Sequence, residues 1–480
     1  MKVFQLKKSS LWLFVIGVAL FAASCKNDPI VTPTTSSPTA DTYSAKVVRD
    51  WNGVVTGLER YAVGYRPCPI ARAMGYIGLA TYESTVAGMK DNKSLSSYYP
   101  SLVLPKVENG QAYHWPTVVN ACYASMAKHF FPKDVYLSRA SAAFLADATA
   151  AISQIDILDT KNNVAFASEL SPETYNRSKT YGLMVAEAVW NWSKTDVVGH
   201  DAYLDPFSYP AGSNSYTSPV GPGLWKPASA GARAMFPYWN QVRTFAINSD
   251  DKTCKSNKTY YDGYSEDVSS GYYAQVLEAK AVPNADRAHM GVFWSDDLMN
   301  LTFSPPMRFF AIADQITSET ANDRLDLALL INAKLGIGGA DAAVACWTSK
   351  YIYNVERPVT YIREHIDPNW KTRLHYPSTP NNDITPSFPG YPSGHSTFGG
   401  VGAAVLSDIF GNDYNVTDRC HEARQDFDGR PRSYTAFDQM AREDAESRIW
   451  LGVHFRMDCE EGLSLGYSVA RRVNALNWKK

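Results

Sequence analysis

The sequence has no C-x-x-C pair, and its nine histidines form no set at metal-ligand spacing, so nothing in it supports a zinc site. His365 and His375, in "REHIDPNWKTRLH", read as loop histidines. Charge of one sign is lacking too. Forty-six Lys and Arg against 48 Asp and Glu give a formal net charge of −2, which offers no basic surface to nucleic acid or to an anionic membrane. Strand-like alternation is scarce and no repeat of fixed period is present, which argues against β-sandwiches and solenoids. Beyond the N-terminus no run of about 18 uncharged apolar residues occurs, the length a helix needs to cross a bilayer. Cysteine is rare, at seven in 480 residues, and a chain of this length builds a core without disulfides. Cys420 and Cys459, which flank the C-terminal motif region, form the one candidate pair.

What is present begins at the N-terminus. A basic "MKVFQLKK" precedes the apolar "LWLFVIGVALFAA", so residues 1–24 read as a secretory signal. It ends in "AASC", which resembles the lipobox of bacterial lipoproteins, although Ala22 stands where an aliphatic residue such as Leu is usual. The resemblance implies lipidation at Cys25. It also implies secretion across the inner membrane and a location at the outer membrane or surface of a bacterium, the lipid being the only membrane contact. Residues 25–42, rich in Pro, Thr and Ser, read as a flexible tether.

From Tyr43 on, with 45% apolar and 13% aromatic content overall, the pattern is helical. Helices are expected at 116–131, 135–155, 172–193, 265–281, 307–318, 321–336, 340–355, 395–410, 433–450 and 459–477. The predicted fold class is mostly α, a large helical bundle with a C-terminal helical core. The Pro-, Gly- and Ser-rich stretch 205–230 reads as a long ordered loop or as a boundary between a helical region 43–230 and a second, 231–480, which holds a candidate catalytic core at about 340–465.

Three segments of that core carry chemistry. In "FPGYPSGHSTFGG", Ser393 and the amides after it sit at the start of a small-residue helix, where unpaired N–H groups and the helix dipole attract an anion. Alone, this is equally an N-cap turn with a surface histidine, His395. In "KYIYNVERP", Lys350 and Arg357 lie seven residues apart, two helical turns, so both cations leave nearly one face. Pro358 disfavours helical geometry at Arg357 and makes that shared face approximate. In "SRIWLGVHFRMD", Asp458 is four residues after His454, so its carboxylate can hold one imidazole nitrogen and leave the other free to attack or ligate. Arg448 and His454 are six apart and reach one site only if the helix breaks between them, which Gly452 allows. Together the segments offer three cations, neutral donors at Ser393 and Gly394, and two imidazoles. This inventory suits a tetrahedral oxyanion that becomes trigonal bipyramidal, and it serves either phosphoryl transfer through His454 or an oxyanion held permanently by His454.

Lys-x6-Arg-Pro, Pro-Ser-Gly-His and Ser-Arg-x5-His-x3-Asp, in this order, resemble the signature shared by vanadium-dependent haloperoxidases and the type 2 phosphatidic acid phosphatase superfamily. The resemblance implies a vanadate cofactor bound through His454, with phosphate able to occupy the same site. Lys350, Arg357, Ser393, Gly394 and Arg448 would hold the oxyanion. His395 would be the acid–base partner, and Asp458 would orient His454. The substrates implied are hydrogen peroxide and a halide, iodide or bromide ahead of chloride, giving hypohalous acid. The organic acceptor is open, as is homo-oligomerisation. The phosphatase alternative uses the same residues, with His454 phosphorylated. "YPSGHSTFGG", Trp347 three residues before Lys350, and the long helical N-terminal half favour the peroxidase.

Two positions depart from the family or vary within it. Glu356 puts an acid beside Arg357 where an aromatic is common, and it is expected to point outward. Phe388 lies where the family carries either phenylalanine or histidine; with Trp347 it is a candidate wall for the halide. A lipid-anchored glycan-binding protein would suit 12 Trp and 29 Tyr, yet it needs no such set of cations and imidazoles.

Overall fold

Helix α11, Leu325–Tyr353, is the axis of the molecule, and 23 of its 29 residues are buried. It is apolar and long enough to cross a membrane by length and composition, but 89% of that apolar window is buried inside the fold. The glycines at 336–339 suggest two helices here; the structure has one. Gly336 explains why: a Cβ there would lie 2.3 Å from the backbone oxygen of Met74, so only glycine lets α2, Cys68–Thr85, approach this closely. Glycine inside a helix costs about 1 kcal/mol, and the burial gained along both helices outweighs it.

The computed structural model describes residues 37–208, 216–229, 231–259, 263–382 and 384–480. The expected signal 1–24, Cys25 and the tether through residue 36 lie outside the described residues. The other α-helices are α1 Lys46–Glu59, α3 Trp115–Phe130, α4 Lys133–Arg139, α5 Leu145–Glu169, α6 Pro172–Lys194, α7 Val197–His200, α8 Gly271–Lys280, α9 Ala285–Phe293 and α10 Pro305–Ser318, then α12 Pro358–His365, α13 Gly394–Phe410, α14 Phe437–Trp450 and α15 Arg456–Asn474. Among the described residues the sheet is a single two-stranded antiparallel ladder, β1 Val416–Asp418 with β2 Arg432–Tyr434. The helix expected at 135–155 is split into α4 and α5, because the chain turns extended at Ala140 and Ser141. That expected at 265–281 is shortened to α8, whose start is fixed by Ser270 accepting from the Tyr273 N–H.

Helix α11 packs on α2, α13 and α15, and α13 packs in turn on α14 and α15. The N-terminal and C-terminal helical regions therefore share a core through α2 and α11. The described part of 205–230 ties onto the chain after α11: Trp225 N–H donates to Asn354 O at 2.7 Å, and Glu356 N–H to Gly223 O at 3.0 Å. Asp341, buried on α11, accepts the N–H groups of Phe245, Ala246 and Ile247 at 2.7, 2.7 and 2.9 Å, fixing a second loop to the same helix. The six described cysteines are free, which corrects the Cys420–Cys459 pairing. Cys420 Sγ accepts from Gln315 Nε2 at 3.3 Å, while Cys459 is buried in the first turn of α15.

Candidate active site

The three motifs converge where the C-terminus of α11, the N-termini of α12 and α13, and the junction of α14 with α15 meet. Helix α11 stops at Tyr353 because Asn354 takes a left-handed conformation, φ 52°, which asparagine tolerates better than most residues. The extended chain that follows brings Arg357 to the N-cap of α12, with Pro358 at the first helical position. Ser393 caps α13, its hydroxyl accepting from Ser396 N–H at 3.4 Å. Gly452, at φ 74°, breaks the chain between α14 and α15 as its position predicts, so Arg448 and His454 do share one site.

His454 Nδ1 lies 2.9 Å from Asp458 Oδ2, which also accepts the Phe455 N–H at 3.0 Å. With Nδ1–H directed to the carboxylate, Nε2 presents its lone pair to the site. Arg357 Nη1 reaches Val453 O at 2.8 Å and His454 Nε2 at 3.4 Å, and its Nε donates to Phe388 O at 3.0 Å. Arg448 Nη2 is paired with Asp297 Oδ2 at 2.6 Å. Lys350 gives its ammonium protons to the carbonyls of Pro389, Gly390 and Pro392 at 2.9, 2.9 and 2.5 Å. In this geometry it contributes charge and clamps the 389–392 loop; those bonds occupy its three donors.

Buried atoms of the site without a hydrogen-bond partner include the donors Arg357 Nη2, Arg448 Nε and Trp347 Nε1, the ring nitrogen His395 Nε2, and the carboxylate oxygens Asp297 Oδ1 and Asp458 Oδ1. Buried polar groups in native folds are almost always paired, so orphaned donors beside a free imidazole nitrogen fit an oxyanion such as vanadate or phosphate. His454, His395, Arg448 and Gly394 line a cavity of about 330 Å³ whose wall includes Trp347 and Phe388. These two rings are 5.0 Å apart, and the Phe388 ring lies 5.1 Å from both Lys350 Nζ and the Arg357 guanidinium. Cations against ring faces are held without being neutralised.

Electrostatics match this reading. Burial, then the charges of Arg357, Lys350 and Arg448, hold His454 neutral, well below the usual histidine range. Burial and the charges of Arg448, Arg308, Arg66 and Lys350 do the same for His395. Burial pushes Asp458 up to about 7 and Lys350 down to about 8. Burial is the largest cause of every shift; neighbouring cations add to it at His454, His395 and, through Arg357, at Lys350, while at Asp458 the charges of Lys350 and Arg357 oppose it.

Residues 331–478 match the family described as the VCPO second helical-bundle domain. The vanadium chloroperoxidase of Curvularia inaequalis is 31% identical over a stretch covering 35% of this chain and 35% of that protein, so the match spans about a third of the relative's length. The crystal structure of a bacterial vanadium-dependent iodoperoxidase superposes with a TM-score of 0.73 at 23% identity, covering 91% of this chain and 97% of that one. The apo form of a bacterial vanadium-dependent chloroperoxidase gives 0.58 at 13% identity, covering 85% and 93%. This chain has the vanadium haloperoxidase fold.

Within this haloperoxidase fold, all the residues expected from the motifs are brought together. Glu356 is a correction: it is 2% exposed and does not reach solvent. It turns from the anion site and accepts from Tyr272 Oη at 2.9 Å, and burial raises its carboxyl to about 8. The acid is thus kept neutral, and its charge does not oppose Arg357. Sequence reasoning missed Asp297, the partner of Arg448. Its only signal is the acidic pair in "VFWSDD", which lies 151 residues from Arg448 and has no spacing relation to the motifs.

Proposed function

We propose that this protein is a vanadium-dependent haloperoxidase that uses hydrogen peroxide to oxidise a halide, iodide or bromide ahead of chloride, to hypohalous acid. The observation that carries the reading is His454: Asp458 fixes its Nδ1 at 2.9 Å, leaving Nε2 beside the unpartnered Arg357 Nη2. Bound vanadate would supply a Lewis-acidic centre that makes peroxide oxygen electrophilic without a change of metal oxidation state. Every other task falls to the chain. His454 Nε2 ligates, and Asp458 holds its tautomer. Arg357 and Arg448 donate to negative oxygens, Ser393 and the Gly394 amide offer neutral donors, and Lys350 adds positive potential. His395, neutral and unpartnered at Nε2, accepts or returns a proton there. Trp347 and Phe388 give the halide an apolar wall that excludes water.

The test is to strip the protein of bound anions, add orthovanadate, and compare peroxide-dependent oxidation of iodide and bromide with hydrolysis of a phosphate monoester. Ester hydrolysis without vanadate, and no halide oxidation with it, would overturn the peroxidase in favour of a phosphohistidine enzyme. We also propose lipid anchoring at Cys25 after export, supported by the basic, apolar and small-residue order of residues 1–25. Fatty-acid labelling of the expressed chain should be lost in Cys25→Ala.

A further inference from the structure

The ten described methionines fall into three groups. Met74, Met89, Met126, Met290, Met307, Met440 and Met457 are buried, Met184 on α6 is 51% exposed, and Met235 and Met299 are half-buried and line the catalytic cavity. The backbones of these last two are anchored. Met235 N–H donates to Ser387 O at 2.8 Å and its carbonyl accepts from Tyr351 Oη at 2.6 Å, while Asn300, next to Met299, donates to Arg60 O at 2.8 Å. Both methionines belong to the same cavity lining as His454 and His395. The lining around them includes Pro67, Pro305, Pro386 and Ile384, the indole of Trp347 is 1% exposed, and no described cysteine lines the cavity. The two thioethers are its softest exposed nucleophiles.

We propose that Met235 and Met299 are sites of self-oxidation to methionine sulfoxide by the hypohalous acid formed in this cavity. The inference rests on the peroxidase reading above. A thioether lone pair attacks the halogen of hypohalous acid, so an S–halogen bond forms while the O–halogen bond breaks and hydroxide leaves. Water then adds its oxygen to sulfur and halide departs. Sulfur loses two electrons, the halogen gains them, and the sum is thioether plus hypohalous acid giving sulfoxide, a proton and halide. The product places a polar S–O group in an apolar wall and turns the cavity against its own turnover when no better acceptor is present.

The experiment follows peptide masses of the vanadate-loaded full chain during turnover of peroxide with iodide or bromide, without organic acceptor, and measures halide oxidation in the same sample. Added oxygen should accumulate at Met235 and Met299 several-fold faster than at Met184. Hypohalite added to the solution, with no peroxide, should reverse that order, because Met184 meets bulk reagent first. In Met235→Leu/Met299→Leu, activity should decay more slowly per turnover relative to the variant's own initial rate. Halide oxidation with Met184 oxidised as fast as the cavity pair overturns this inference alone. Absence of halide oxidation overturns the peroxidase reading and this inference with it.

Discussion

At the scale of single residues the site depends on who holds whom. His454→Ala removes the proposed ligand while Asp458, Arg357 and Arg448 stay in place, so halide oxidation should fall to background. Vanadium NMR should then show orthovanadate free rather than bound. Glu356 gives a prediction in pH. Its carboxyl titrates near 4.5 in an unfolded chain and at about 8 in the fold. Between these values the folded state holds a proton that the unfolded state has lost, so this contribution is fully present below pH 4.5 and fades as pH rises through 8. Glu356→Gln should flatten that decline, and urea midpoints across the window should show the variant gaining on the parent toward pH 8.

At the scale of elements, the α14–α15 junction is the most exposed to a small change. Gly452 sits at φ 74°, and a Cβ there would come 2.7 Å from the Trp370 ring. Gly452→Ala should cost roughly 1–3 kcal/mol in urea unfolding. It should also weaken orthovanadate binding, because the turn sets Arg448 against His454. A change of the same size in the α2–α11 contact should act differently. Gly336→Ala forces a methyl onto the Met74 carbonyl and should lower stability by about 1–3 kcal/mol. It leaves the residues around His454 in place, so activity per folded molecule should hold below the new transition.

At the scale of the whole molecule, folding energy is spent on gathering Lys350, Arg357 and Arg448 in a buried place, and an anion returns part of it. Orthovanadate at a hundredfold its Kd should stabilise the fold by about 2.7 kcal/mol, read as a rise in Tm. Phosphate should do the same at higher concentration and compete. Arg448→Ala should lose most of the rise.

The sequence by itself determined the class of fold and the set of cations and imidazoles, and left peroxidase and phosphatase chemistry both open. Helical periodicity, Pro-Ser-Gly-His before a small-residue run, and an imidazole four residues from a carboxylate are local patterns that survive without knowledge of the partners. Gly452 was legible as a break because the 240° between Arg448 and His454 on an ideal helix demanded one. Only the tertiary structure decided that α11 runs unbroken, that Lys350 spends its protons on carbonyls, that Glu356 is buried against Tyr272, and that Asp297 holds Arg448. Each of these depends on groups distant in the chain, whether a neighbouring helix that glycines admit, a loop folded over an ammonium, or a carboxylate 151 residues away. No local spacing encodes such contacts; they arise when burial brings the segments together and every buried polar group must find a partner.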